Sequence, residues 1–499
     1  MKLIAKPQSI AKAKETTHVY GVFQSAPDKP LLSPLLKAHE TAIQRLAAAK
    51  IFSGAASSKY FLRAQDDSSP NLLFIGLGEA GSATPEDLRG AGARAYAALN
   101  GEKVAAAALA ADTFFPPKPK KGRDADDYFL AFAEGFALSD YGFDKYLTKK
   151  REAVLKQAAF YSDKKKSLGK ALERTKAAAE CIFIARDLSN EPGNVLVPEE
   201  LGRRAVKISK EHGLSCKVLH MAELKKEKMG GLVGVGQGSA NPPCLIVVEY
   251  KPKKAKKGAK RIALVGKAVT FDSGGISLKP GAQMDEMKHD MSGAANLFAA
   301  TLLAAKLGCQ TPITLVIAAA ENMPDGNAIV PSAILETRSG KTIEVLNTDA
   351  EGRVILADAL DYAQDSDPEI VINMATLTGA VLVALGNVAS GIMGNDEGLI
   401  EEFLAASART EEKHWELPLY KEYAEDMKGK VGDLKNIGAN RDAGSSKGGA
   451  FLMAFIRPKV KWMHIDCAGT AWNQRHLPYT SHGATGHGVR TVADFCLNH

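Results

Sequence analysis

Apolar positions follow two periods along this chain, and their alternation predicts a mixed α/β fold. Short apolar or β-branched runs at 19–23, 72–75, 245–249, 261–265, 313–318, 370–373 and 462–466 read as strands. Between several of them, apolar residues recur at helical spacing, at 87–99, 126–138, 293–307 and 354–362. Strands that alternate with helices imply a mainly parallel sheet covered by helices. A charged stretch with an alanine seam, 162–184, predicts a long helix suited to join two domains. The expected organisation is a smaller N-terminal α/β domain (1–160), a connecting helix (161–185) and a C-terminal α/β domain (186–499) that carries the chemistry. A length of 499 residues, at roughly 100–200 per domain, agrees with more than one domain.

Composition narrows the class. With 45% hydrophobic and 24% charged residues the chain is neither disordered nor fibrous. Aliphatic runs such as 104–111 fall well short of the ~18 residues a membrane span needs. The first residues carry lysines but no apolar segment ending in a small-residue cleavage site, so no signal peptide is expected. Six widely spaced cysteines without a CxxC pair read as buried free thiols of a cytoplasmic protein. Net charge is +7, unevenly placed: residues 1–180 hold 28 Lys+Arg against 20 Asp+Glu, or +8. That basic front keeps a nucleic-acid partner open as an alternative. The lysines of 118–123 and 163–166 lack interleaved aromatics, however, and so form no stacking platform. The lysine-rich segment 251–261 lies between two predicted strands and reads as a charged loop.

Two motifs imitate nucleotide sites. Gly76-Leu-Gly-Glu-Ala-Gly81 follows a strand, but Ser-Ala-Thr-Pro intervenes before the next helix, whereas a dinucleotide fingerprint opens that helix directly. Ser339-Gly-Lys-Thr342 lacks the upstream glycine of a P-loop, since Leu335 occupies that position. His482 and His487 sit in a Gly-rich loop without acidic neighbours and read as loop residues.

The chemistry concentrates in two segments. Residues 265–280 and 287–295 place Lys267 just past a strand end, Asp272 before a Gly-Gly turn, then Lys279, and Asp290 ahead of a helix. Residues 347–353, Asn-Thr-Asp-Ala-Glu-Gly-Arg, bring Asp349, Glu351 and Arg353, which alternation would put on one side of an extended loop. Loops beyond strand ends are where open α/β sheets place their sites. Charges at this density in an apolar setting demand mutual or metal neutralisation. Asp272, Asp290, Asp349 and Glu351 carry −4, which two divalent cations match; oxygen ligands with one nitrogen suit Mn²⁺, Mg²⁺ or Zn²⁺. Two such ions ~3.5–4 Å apart would activate a water and polarise a carbonyl. Lys279 and Arg353 remain as cations for a developing oxyanion, and Lys267 can serve as a ligand only as a neutral amine.

The heptapeptide 347–353, with Val-Gly-Lys-x-x-x-Phe-Asp-Ser-Gly-Gly-Ile-Ser before it, resembles the leucine aminopeptidase (cytosol aminopeptidase) family. The likeness extends through 188–201, 321–335, 375–380, 464–472 and 483–490, while the N-terminal part shares only a general α/β character. The resemblance implies a metal-dependent aminopeptidase with a two-domain subunit, usually a homo-hexamer, acting on peptide substrates and preferring Leu and other large apolar N-terminal residues. It implies that Lys267, Asp272, Asp290 and Glu351 hold a tighter Mn²⁺ or Zn²⁺, and that Asp272, Asp349 and Glu351 hold a more exchangeable one. Lys279 would polarise the scissile carbonyl, and Arg353 would hold a bicarbonate acting as general base. Met287, Asn347, Thr376 and Leu377 match positions near the substrate. Some members of the family also bind DNA, which keeps that accessory role as the alternative.

Overall fold

The computed structural model describes residues 1–66, 68–163, 165–255, 258–259, 261–472 and 477–499, with the side chains of 35, 165 and 166 left aside. Residues 256, 257 and 260 of the lysine-rich segment 251–261, and residue 164 of 163–166, therefore lie outside the described residues. The chain forms two compact units, residues 1–180 with 476–481, and residues 181–475 with 482–499.

The first unit is a seven-stranded sheet built from β1 (Lys2–Lys6), β2 (Thr17–Ala26), β3 (Lys29–Leu31), β4 (Lys59–Leu62), β5 (Asn71–Glu79), β6 (Ala106–Ala110) and β7 (Gln157–Tyr161). Its order is β1-β7-β6-β2-β5-β4, with β3 paired to β2. All neighbours from β1 to β5 run parallel. Helices Pro85–Gly101 and Ala125–Leu138 begin at Thr84 and Asp124, each closing a reciprocal capping box with an aspartate three residues on. The glycine motif at 76–81 finds its explanation here. β5 runs on to Glu79, so Gly76 and Gly78 lie inside the strand rather than after it. A Cβ on Gly76 would stand 2.0 Å from the Ala55 carbonyl oxygen. Gly76 and Gly78 admit the neighbouring segment at Ala55 and Ala56, which accounts for them without a bound phosphate.

The second unit carries an eight-stranded sheet from β8 (Ser215–Leu219), β9 (Cys244–Tyr250), β10 (Ile262–Asp272), β11 (Ile313–Asn322), β14 (Ile370–Ala375), β15 (Ser390–Gly394), β16 (His414–Glu416) and β18 (Lys461–Asp466). A small sheet joins β12 (Ile334–Glu336), β13 (Thr342–Glu344) and β17 (Leu434–Lys435). The large sheet is ordered β16-β15-β18-β14-β10-β11-β9-β8, and its four central strands β18, β14, β10 and β11 are parallel. On β10, alternation sends Ala263, Val265 and Val269 into a core shared with Val354, Ile355 and Ala359 of the helix Glu351–Ala363. The expectation of a mainly parallel, helix-covered sheet holds.

The four parallel strands end at Asp272, Asn322, Ala375 and Asp466, so one edge of the sheet gathers their carboxyl ends. Two sequence expectations need correction at this edge. Lys267 lies inside β10, not beyond it, because β11 keeps pairing with β10 as far as Asp272↔Asn322. Glu351 and Arg353 do not alternate in an extended loop, because Glu351 opens a helix and Arg353 is already in its first turn. Among the described residues no helix is long and apolar enough to cross a membrane.

Candidate metal centre

Lys267 rises from β10 toward the start of the helix Glu351–Ala363. Its Nζ lies 2.8 Å from Asp290 Oδ1, 2.7 Å from Asp290 Oδ2, 2.9 Å from Glu351 Oε1 and 2.9 Å from the Thr376 carbonyl. The side chain passes directly over Gly352, where a Cβ would stand 2.5 Å from Lys267 Cε. Glycine is required there because a buried, three-way-anchored lysine cannot swing aside. We expect Gly352→Ala to fold with a loss of about 1–3 kcal/mol, typical of overpacking, and to bind metal more weakly by displacing Lys267 Nζ. Thermal melts beside elemental analysis of the purified variant check this.

Asp272 ends β10. Its Oδ1 accepts from Gly274 N at 2.9 Å and Asn322 Nδ2 at 2.8 Å, while Oδ2 faces Lys279 Nζ at 2.8 Å. Lys279 also reaches Asp349 Oδ1 at 2.5 Å. Asp290 follows the turn Met284–His289, and its Oδ1 accepts from Thr376 Oγ1 at 2.7 Å. Asp272, Asp290 and Glu351 are all buried, and each offers an oxygen within 4.8 Å of the others.

These six side chains do not neutralise one another. Four carboxylates meet two ammonium groups, so full ionisation would leave two negative charges in a largely buried place, which burial opposes unless a further cation is present. Burial, reinforced by Asp272, raises the Glu351 carboxyl to about 8 against the pull of Lys267. Burial likewise raises Asp290 to about 6, and it raises Asp349. Burial opposes the charge on Lys267, but Asp290, Glu351 and Asp272 outweigh it and hold the amine well above its ordinary value. Glu351 Oε2 is buried with no hydrogen-bond partner; Asp290 Oδ2 and Asp349 Oδ1 touch ammonium groups but without hydrogen-bond geometry. Unpaired carboxylate oxygens that converge in a buried pocket fit divalent cations, with Lys267 able to give up its proton to one of them.

Arg353 feels the charge of Glu351 and Asp466 but makes no ion pair with a carboxylate among the described residues. It is buried, and its Nη1 donates to the Asn436 carbonyl at 2.8 Å while Nε has no partner. Burial lowers its affinity for the proton, to about 10, so it remains charged at neutral pH. A guanidinium so poorly satisfied is a seat for an anion.

The residues expected near substrate have structural work as well. Asn347 Oδ1 accepts from Asp349 N at 2.9 Å and so shapes the turn that presents Asp349. Thr376 grips both Lys267 and Asp290, as given above. Leu377 N donates to Asp466 Oδ1 at 3.2 Å. Met287 is half-buried in the turn just before Asp290. Several supporting residues are not singled out by the sequence reading, although Asn322 and Asp466 lie within the segments that carry the family likeness. Asn322 clamps Asp272 and also donates to the Thr348 carbonyl. Asn436 ties together Leu346, Asn347 and Arg353. Asp466 accepts from Thr378 Oγ1 at 2.6 Å and holds the loop that carries Thr376.

Residues 183–493 match the catalytic domain of the cytosol aminopeptidase family, and residues 19–150 match that family's N-terminal domain. A probable cytosol aminopeptidase of Syntrophotalea carbinolica is 41% identical over 481 residues, 95% of each chain. One from Nitrosospira multiformis is 38% identical and covers all of this chain and 96% of its own. Among solved structures, the bottromycin maturation enzyme BotP in complex with Mn superposes with a TM-score of 0.85 at 31% identity, covering 97% of this chain and 99% of its own. A tomato leucine aminopeptidase variant superposes with a TM-score of 0.88 at 28% identity, covering 100% and 97%. With both segments matched and relatives alike over nearly their whole length, the chain belongs to the cytosol aminopeptidase family.

Proposed function

We propose that this metal-dependent aminopeptidase works with two divalent cations, held at Lys267, Asp272, Asp290 and Glu351 on one side and at Asp272, Asp349 and Glu351 on the other. The observation that carries the reading is the convergence of buried Asp272, Asp290 and Glu351 oxygens within 4.8 Å of one another, with Glu351 Oε2 left unpaired. Mn²⁺ is the first candidate, since BotP is similar to this chain and is found in complex with Mn; Zn²⁺ is the second. When bound, the ions supply Lewis acidity that polarises the scissile carbonyl and acidifies the attacking water.

The protein's own groups do the rest. Lys279, partly exposed and bridging Asp272 to Asp349, is placed to donate to an oxyanion forming beside the carboxylates. Arg353, buried and incompletely partnered, would hold a bicarbonate, which would supply general-base chemistry at that place. A free substrate α-amine faces the carboxylate cluster, which makes the cleavage exopeptidic. The apolar side chains of Met287, Leu377 and Ala380, beside Thr376 and Asn347, favour Leu and other large apolar N-terminal residues. We expect unblocked Leu and Met peptides to be cleaved at least tenfold faster than N-acetylated ones. A panel of aminoacyl amides, assayed with metal-stripped protein to which Mn²⁺, Zn²⁺, Co²⁺ or Mg²⁺ is restored, tests both metal and side-chain preference. Equal turnover of blocked and free substrates would contradict recognition of the amine.

We further propose a cytoplasmic homo-hexamer. Support comes from the family resemblance and from apolar side chains open to solvent in the single chain, Val383 at 91% and Val431 at 83%. Light scattering of the purified protein measures the assembly. The DNA-binding alternative rests on the +8 charge of residues 1–180; retention on duplex DNA that falls steeply with salt would favour it.

A further inference from the structure

His464 lies on β18 between Trp462 and Asp466, and strand alternation turns these three side chains to one face. All three are wholly buried. Trp462 Nε1–H can only donate, and it does so to Asn373 Oδ1 at 2.8 Å. That fixes the Asn373 amide, whose Nδ2 then faces His464 Nδ1 at 2.7 Å. An amide nitrogen donates, so His464 Nδ1 accepts and the ring proton sits on Nε2. Asn373 and His464 are register partners on the adjacent parallel strands β14 and β18, so the relay is built on rigid elements. Burial, with the charge of Arg353 adding to it, keeps the ring neutral. The outcome is a neutral Nε2–H donor, fully buried and without a hydrogen-bond partner.

Arg353 lies close to Leu377 and Thr378, and its charge is felt at His464 and interacts with Asp466 on β18. A Cβ on Gly448 would meet Leu377 Cδ2 at 3.1 Å, Thr378 Cγ2 at 3.4 Å and Arg353 Nη2 at 3.6 Å. Thr378 Oγ1 is bonded to Asp466, which is one strand repeat, ~7 Å, from His464 on the same face. Arg353 Nε–H is also buried and unpartnered. Two unsatisfied donors in one buried region, one of them charged, call for an acceptor between them.

We propose that His464 Nε2–H is a second donor, beside Arg353, to the carbonate-sized oxyanion, and that the Trp462–Asn373 relay serves to hold the imidazole in the donating tautomer. The inference rests on the reading of Arg353 as an anion holder. A trigonal oxyanion has acceptors enough for both groups, whereas the opposite tautomer would aim a lone pair at it and repel it.

Asn373→Asp tests the relay. A carboxylate accepts from both Trp462 Nε1–H and the imidazole, so it draws the ring proton to Nδ1 and leaves Nε2 as an acceptor. With the Mn²⁺-loaded full-length enzyme in carbonate-free buffer, bicarbonate is titrated against kcat. Wild type is expected to show saturable stimulation, and Asn373→Asp to need roughly tenfold more bicarbonate or worse, the scale of a lost bond to a charged group. Metal content is expected to be unchanged. His464→Gln, whose amide can donate from a similar position, is expected to keep most of the response, and a purely structural role would not distinguish these variants by bicarbonate. Histidine-selective ¹⁵N spectra of the wild type need no variant to fold: the His464 proton is expected on Nε2, with its resonance moving on addition of bicarbonate. A proton on Nδ1, or a resonance indifferent to bicarbonate, would overturn the proposal. A response lost in Arg353→Ala but intact in Asn373→Asp would overturn the role of His464 alone. No response in the wild type would remove the Arg353 reading along with it.

Discussion

Asp272→Ala is expected to lose both metal ions and to lower kcat by at least ~10³-fold. The magnitude follows from its position. Partners that merely orient a ligand are worth 10–100-fold in metal affinity, and Asp272 is proposed to serve both ions directly. Its loss also strands what it holds. Lys279 Nζ loses its 2.8 Å partner, and Asn322 Nδ2 and Gly274 N lose an acceptor inside a buried site. Asn322→Ala provides the graded comparison, because it removes the clamp and leaves the carboxylate. Weaker metal binding with partial activity is expected there. Elemental analysis beside kcat for both variants checks the pair, and an Asp272→Ala enzyme with full metal content would contradict the bridging role.

Lys279→Ala should keep its metals and lose roughly 10²–10³ in kcat, the scale of removing one oxyanion donor. Lys267→Ala should instead lose one ion. The two lysines look alike in the sequence but differ in the structure. Lys267 is buried, anchored by Asp290, Glu351 and Thr376, and lies within a central strand. Lys279 is partly open to solvent and bridges Asp272 and Asp349 at the rim of the cluster. A transition-state contact needs access to substrate, while a ligand needs enclosure. Metal stoichiometry with kcat for each variant reads the difference directly. If Lys279→Ala loses an ion while Lys267→Ala keeps both, the two roles are reversed.

How much of this was legible in the sequence depended on whether a residue carries its own local pattern. Period-two and helical spacing located the central strands and the helix Glu351–Ala363, because these elements bury one continuous apolar face. The four carboxylates and two lysines stood out because they cluster in two Gly-rich segments. Strand ends were misjudged where chemistry interrupts an apolar run. β10 continues through Lys267 to Asp272 because β11 pairs with it throughout, and pairing between distant segments leaves no mark on either one. The glycines at 76–81 imitate a nucleotide site, since a strand under a close backbone neighbour and a phosphate loop both require glycine, and the sequence reading sets that site aside. Asn322, Asn436 and Asp466 act at strand ends or from a separate small sheet. Each is an ordinary polar residue until the parallel sheet brings the carboxyl ends of its strands together.

The central claim is that the carboxylate cluster of Asp272, Asp290, Asp349 and Glu351 is the seat of two catalytic cations. Titrating Mn²⁺ into the metal-stripped full-length chain, with bound metal and kcat followed together, tests it most directly. Two ions per chain are predicted, with activity absent at zero and complete only as the second binds. Full activity in protein shown to be metal-free, or saturation of activity with no second ion bound, would contradict the account.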